Sequence, residues 1–425
     1  MDEVRKKRRD FRQNIAIALL SVSAVFLFSR TQLFQLGRSS YFRFLSVVDA
    51  QAESSETERS PLTAPVRLAV TASYGRYGSI TAVTGDESFL PLRRLLGDAL
   101  GGAGAMASCG EEAFFQALSS TSVYYDFLHP LPLDTVAGLI DAPASVDGTV
   151  RSLAVAGEAD GVSLYLWDGE SRYSRCAVSI SPAELEEAVA LYEVGNALFA
   201  FDRAASDRTY GAVAPCSLFL EQVPSLPVLS AEVPPSGTDA LLSALGFNPM
   251  TNSRYSESNG TEVIVDGSRS LRIHSGEALV YQDSGRAGLL IDAAGDQPTP
   301  REATMGCGAL LGSLLSAGGC TTPVYLRELR QEGAAMTLRF DYQFGGVPIC
   351  FDRGGSAAEI TLTGRTVTSL ELLPRQYTAG ETASLLLPLR QALGVASLHP
   401  GGELSIGYVD SGAAVVEAMW LSDLP

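Results

Sequence analysis

Residues 335–351 read AMTLRFDYQFGGVPICF, and the reading of this stretch decides the fold. Apolar and polar residues alternate through Met336, Leu338 and Phe340. Gly345-Gly346 then punctuates the run, and a second β-rich piece follows. Strict alternation is the period of a half-buried strand, and a glycine pair between two such runs marks a hairpin. Outward from it the pattern repeats at Val324–Arg330, Ala358–Thr363 and Val367–Leu373. Thr238–Leu245 and Glu302–Ser316 carry helical spacing, each ahead of a run of strands, and Ala379–Leu393 is expected to be a third helix followed by Glu403–Val409 and Ala413–Leu421. Helix followed by meander predicts the α+β class, with antiparallel sheets and helices packed on one face.

Nearer the N-terminus, Val66–Ser73 and Val123–Phe127 read as strands, and Phe89–Leu100 and Glu111–Leu118 as helices. Ser181-Pro182 with Glu184 is a capping box, and the helix it opens is expected to run to about Val194. The segment 224–238 (PSLPVLSAEVPPSGT) holds four prolines in fifteen residues, which places a boundary there. The expected organisation is a basic tail over 1–12, an anchor over 13–34, a tether over 35–65, one α+β domain over 66–230 and an α+β region over 238–425, itself in two parts (238–300 and 301–425).

The anchor rests on Ile15–Phe28 (IAIALLSVSAVFLF), an uncharged run extended to spanning length by its flanks, with Arg12 and Arg30 at opposite interfaces. A cleaved signal peptide is the rival reading. It lacks a small-x-small site nearby, the nearest being Ala50-Gln51-Ala52. Arg5, Lys6, Lys7, Arg8, Arg9 and Arg12 precede the run and keep the N-terminus in the cytoplasm, which puts the bulk of the chain outside the cell membrane as a single-pass protein. Asn14, Ala18, Ser21 and Val25 share one face of this helix. Their small or weakly polar side chains make that face the expected contact with a membrane partner.

The 425 residues carry a formal net charge of −17, and the tail alone contributes +3, so the remainder carries −20. Such a surface repels phosphate backbones and excludes nucleic acid as a partner. Lys6 and Lys7 are the only lysines, which removes P-loop and Schiff-base chemistry from the body. His129, His274 and His399 stand far apart and are expected in surface or capping roles. The six cysteines form no CxxC pair; buried free thiols are the expectation, with disulfides the alternative. Asn259-Gly260-Thr261 fits a glycosylation acceptor and also a turn, and the turn is preferred. There is no Gly-x-Ser-x-Gly elbow, and Gly101–Ala105 follows a helix rather than a strand. No catalytic, cofactor-binding or metal-binding residues are assigned, and no enzyme activity is expected.

The chain resembles the YycH/YycI (WalH/WalI) regulators of Gram-positive bacteria. The resemblance lies in the tail, anchor and external body, and in diffuse strand signatures of the C-terminal half. These are Leu245-Gly246-Phe247-Asn248-Pro249, Tyr255, Gly260–Asp266, Leu271–His274 with Gly276 and Tyr281, Leu338–Tyr342, Gly346–Ile349, Arg375-Gln376-Tyr377, Gly407–Asp410 and Trp420. It implies a non-catalytic protein that binds and modulates the sensor histidine kinase of a two-component system controlling cell-wall metabolism, alongside a second YycH/YycI-like protein. The alternatives are a membrane-tethered ligand-binding or structural module and, behind it, a cell-wall enzyme.

Overall fold

In the computed structural model, which describes residues 62–63, 66–81, 89–234, 237–274, 278–285, 288–352 and 354–422, the alternation of 335–344 becomes antiparallel pairing. Ala335–Phe344 pairs along one edge with Val324–Glu332. Along the other it pairs first with Ala358–Thr363 and then with Val347–Phe351. Met336 and Leu338 are buried while Thr337 and Arg339 are partly exposed, as period two requires. From Phe340 to Phe344 both faces are buried.

This strand sits in a 14-stranded sheet. From it the path runs through Ala358–Thr363, Thr366–Leu372, Leu279–Asp283, Arg269–Ile273 and Glu262–Asp266 to the edge at Ser253–Ser256. In the other direction it runs through Val347–Phe351, Leu404–Asp410, Val415–Ser422 and Pro227–Glu232 to Gln376–Ala383. Two pairs depart from the expected antiparallel order, Ile349–Phe351 with Tyr408–Asp410 and Leu62–Thr63 with Val324–Tyr325, both parallel. The sheet is continuous across residue 300, and the described residues form one compact unit.

A nine-stranded sheet collects the strands between 67 and 220, with Arg67–Ser73, Ser122–Pro132, Thr149–Glu158 and Gly161–Trp167 at its centre. Helices cover both of its faces, which corrects the expectation of one. Glu111–Ser119 packs Phe114 and Leu118 against Ala69, Tyr124, Ala154 and Tyr165. On the opposite face, Tyr125 Oη donates to the Leu92 carbonyl of the Leu90–Gly101 helix at 2.8 Å. The reason is legible in the strands themselves: Val123-Tyr124-Tyr125 and Leu153–Ala156 are continuous apolar runs, the mark of burial on both sides.

Four other differences have local causes. The helix expected over Ala379–Leu393 splits into a strand, Gln376–Ala383, and a short helix, Leu389–Ala396. Pro388 holds Leu387 out of the helical region, and Pro227–Glu232 offers the preceding segment a pairing edge. The helix capped by Ser181 ends at Ala190 rather than Val194, because Gly195 N must reach the Tyr77 carbonyl at 2.7 Å. The tether expected over 35–65 does not extend unbroken to its end. Leu62 is buried against Gly308, where any Cβ would lie 2.3 Å from the leucine Cδ1. The proline-rich 224–238 likewise contains the strand Pro227–Glu232.

The anchor over 13–34 and its partner face, Asn14, Ala18, Ser21 and Val25, lie outside the described residues. Among the described residues no helix is long and apolar enough to cross a membrane. All six cysteines are free thiols, and Cys176, Cys307, Cys320 and Cys350 are buried. Asn259 Oδ1 accepts from Thr261 N at 3.0 Å around Gly260 at φ +86°, which is a turn.

Candidate functional site

Where the two sheets meet, charged side chains replace the apolar packing. Arg67, Asp126, Ser152 and Trp167 stand opposite one another on four adjacent strands and form a transverse row on one face. Arg67 Nη2 lies 2.8 Å from Asp126 Oδ2. Arg151, next to the row, places its guanidinium 5.2 Å from the centre of the Trp167 ring and its Nε 3.7 Å from Asp126 Oδ1.

The fourth charge comes from the other sheet. Glu403, just before Leu404–Asp410, accepts from Arg67 Nη2 through Oε1 and from Arg151 Nη2 through Oε2. Backbone bonds fix the approach: Ala214 N donates to the Gly402 carbonyl and Gly401 N to the Ala212 carbonyl, each at 2.8 Å. Two positive and two negative groups thus close a cluster across the sheet junction. A buried cluster of this kind is weak evidence for stability, since desolvation offsets the attraction. What the cluster does is tie the segment that leads into Leu404–Asp410 to the nine-stranded sheet, through Glu403.

A bulge in the Ser122–Pro132 strand sets the neighbouring geometry. Pairing slips between Asp126 and Leu131, and Leu128 takes φ +67° with its N–H donated to Asp126 Oδ1 at 2.8 Å. Leu128 is thereby packed with Val66 and Tyr325, a contact across the junction. His129 follows, and here the expectation of an ordinary surface or capping role is corrected. Its Nε2 is buried without a hydrogen-bond partner among the described residues. Burial, reinforced by the guanidinium charges of Arg327 and Arg151, lowers its pKa to about 4. Beyond Arg327 lies Asp341, 3.3 Å from its Nη1 and bonded to Ala357 N at 3.2 Å. Burial pushes this carboxyl up to about 6 despite the arginine.

A second network lies within the larger sheet. Arg375 grips Asp410 with two bonds of 2.9 Å, Nε to Oδ2 and Nη2 to Oδ1, and gives a third to the Ala413 carbonyl at 2.7 Å. Tyr377 Oη donates to Asp410 Oδ2 at 2.7 Å. Tyr342 Oη accepts from Arg375 N at 3.2 Å and donates to the Leu373 carbonyl at 2.9 Å. This bidentate arrangement holds the Gln376–Ala383 strand to the end of Leu404–Asp410.

Neither cluster is arranged for acid–base work in the manner of paired carboxylates, because the buried Asp126, Asp341 and Asp410 each face an arginine. Among the described residues no three His, Cys, Asp or Glu side chains stand together to hold a metal ion. Comparison of the chain with known protein families, with curated proteins and with solved structures finds no match.

Sequence reasoning missed the junction cluster. Its one visible signal was Asp126 inside Val123-Tyr124-Tyr125-Asp126-Phe127, a charge in a run too apolar to leave it in water. That pattern demands a buried cation. It does not say which.

Proposed function

We propose that the chain is a non-catalytic, membrane-anchored regulator that binds and modulates a sensor histidine kinase controlling cell-wall metabolism. The observation that carries the reading is the meeting of resemblance residues from three separate stretches, Tyr342, Arg375 with Tyr377, and Asp410, in one buried hydrogen-bonded network. Residues that share a structural task are what a common fold requires of a diffuse resemblance. The uncharged stretch 15–28, between a basic tail and an acidic body, supplies the membrane attachment in this reading.

A second reading, a tethered ligand-binding module, is favoured by one specific feature: the two arginines that close on Glu403 at the sheet junction.

The membrane part of the proposal has a direct test. Ala18→Leu with Ser21→Leu keeps the helix apolar but forces a partner backbone away. Interhelical polar contacts in lipid contribute about 0.6–2 kcal/mol each. The double change is therefore expected to weaken association several-fold to a hundred-fold. Ala16→Leu, off that face, should do much less. A membrane two-hybrid assay at matched expression reads the difference, and equal signals from both sets would move the contact to the exterior body.

A further inference from the structure

Glu403 is gripped by two arginines that belong to a sheet other than its own. Each carboxylate oxygen goes to a different guanidinium, Oε1 to Arg67 and Oε2 to Arg151. What the pair recognises is therefore the two-oxygen plane of a carboxylate, not anything particular to the chain that presents it.

The charge balance points the same way. Without Glu403, Arg67 and Arg151 face only Asp126, which leaves one positive charge unanswered in a site whose side chains are 16%, 18% and 4% exposed. Such a site requires one negative charge. It also holds more donors than Glu403 uses. Arg67 Nε and Arg151 Nε are buried and without a hydrogen-bond partner among the described residues. So is the hydroxyl of the fully buried Ser152, opposite Asp126 in register. Unanswered buried donors beside an occupied grip leave hydrogen-bonding capacity at the site that Glu403 does not use.

Glu403 is presented by Gly401-Gly402, with Gly401 at φ +99°, at the end of the exposed turn 397–401. Glu403 precedes the paired run Leu404–Val409 and takes no part in its ladder. We propose that Arg67 and Arg151 form a carboxylate-binding site that Glu403 occupies in cis, and that a carboxylate from outside the chain takes its place. The inference is independent of the kinase reading, since it concerns the junction alone.

An internal occupant acts as a competitor, so external carboxylates bind the wild-type protein weakly and bind tightly once the competitor is removed. Glu403→Gln keeps the side chain's shape and removes its charge. Sodium acetate should then raise the variant's thermal midpoint saturably, with an apparent affinity at least tenfold tighter than for wild type. Acetamide, and sodium chloride at equal ionic strength, should not reproduce it. Adding Arg151→Gln should abolish the response. A Glu403→Gln protein that responds to acetate no more than to chloride overturns the proposal, as does a double variant that responds equally. If Glu403→Gln does not fold, hydrogen exchange on the wild-type protein decides. Acetate should speed exchange of the Glu403 amide, which precedes the paired strand, at least twofold over chloride, and unchanged exchange contradicts the site.

Discussion

Asp410→Ala is expected to destabilise the protein by about 3–5 kcal/mol, the usual cost of stripping one partner from a buried ion pair. The aspartate is 1% exposed and Arg375 12%, so the abandoned guanidinium has little water to turn to. Three further groups lose an acceptor at once: the Tyr377 hydroxyl, the second arginine nitrogen and Gly412 N, each within 2.9 Å of the carboxylate. Tyr377→Phe removes a single bond and should cost about 1–3 kcal/mol. Replacing both charges, Arg375→Met with Asp410→Leu, should recover part of the loss, because it removes the unpaired buried charge and leaves the Tyr377 hydroxyl as the buried group without its acceptor. Urea unfolding midpoints at neutral pH read all three. A double replacement as damaging as Asp410→Ala would show that the network sets the strand geometry and does not merely satisfy its own charges.

The second large effect is a pair of opposed pH dependences at the sheet junction. His129 is held down to about 4 from an ordinary 6.5 by burial and by Arg327 and Arg151. Between those values the unfolded chain takes up a proton that the folded chain refuses, so stability is lost as pH falls from 6.5 towards 4. Asp341 is pushed up to about 6 from an ordinary 3.8 by burial. Between those values the folded chain keeps a proton that the unfolded chain releases, so stability is gained as pH falls from 6 towards 3.8. Each contribution amounts to about 3 kcal/mol over its window, and across most of the range they cancel. Asp341→Asn should therefore expose the histidine, making acid destabilisation between pH 4 and 6 steeper by about one proton. His129→Gln should make it shallower by the same amount. The measurement is the slope of unfolding free energy against pH at fixed salt. One slope shared by wild type and both variants would refute the opposition.

Local grammar in this chain was readable wherever local chemistry decides the outcome. The Ser181/Glu184 capping box opens its helix as expected, and Ala335–Phe344 and Ala358–Thr363 pair over the residues that their alternation marks. The failures share a cause. Ala379–Leu393 has enough leucine at helical spacing to predict a helix, yet the neighbouring Pro227–Glu232 edge draws its first part into the sheet. Leu62 sits in a polar, Pro-flanked stretch that favours a tether, and only the gap left by Gly308 on a distant helix gives it a place to bury. The junction cluster was the least legible of all. Asp126 and Arg67 pair across neighbouring strands, but Arg67 and Glu403 are 336 residues apart and Arg151 and Glu403 are 252 apart. Charge, exposure and composition are properties of single residues. Which carboxylate meets which guanidinium is a property of how two sheets dock.

The regulatory reading is tested most directly by recovering the full-length chain from native membranes in mild detergent and asking what comes with it. The account predicts that a sensor histidine kinase co-purifies at near-stoichiometric yield, and that the association is weakened when Ala18 and Ser21 are both leucine. Membranes in which the kinase is present and intact but does not accompany the chain, before or after cross-linking, would contradict it.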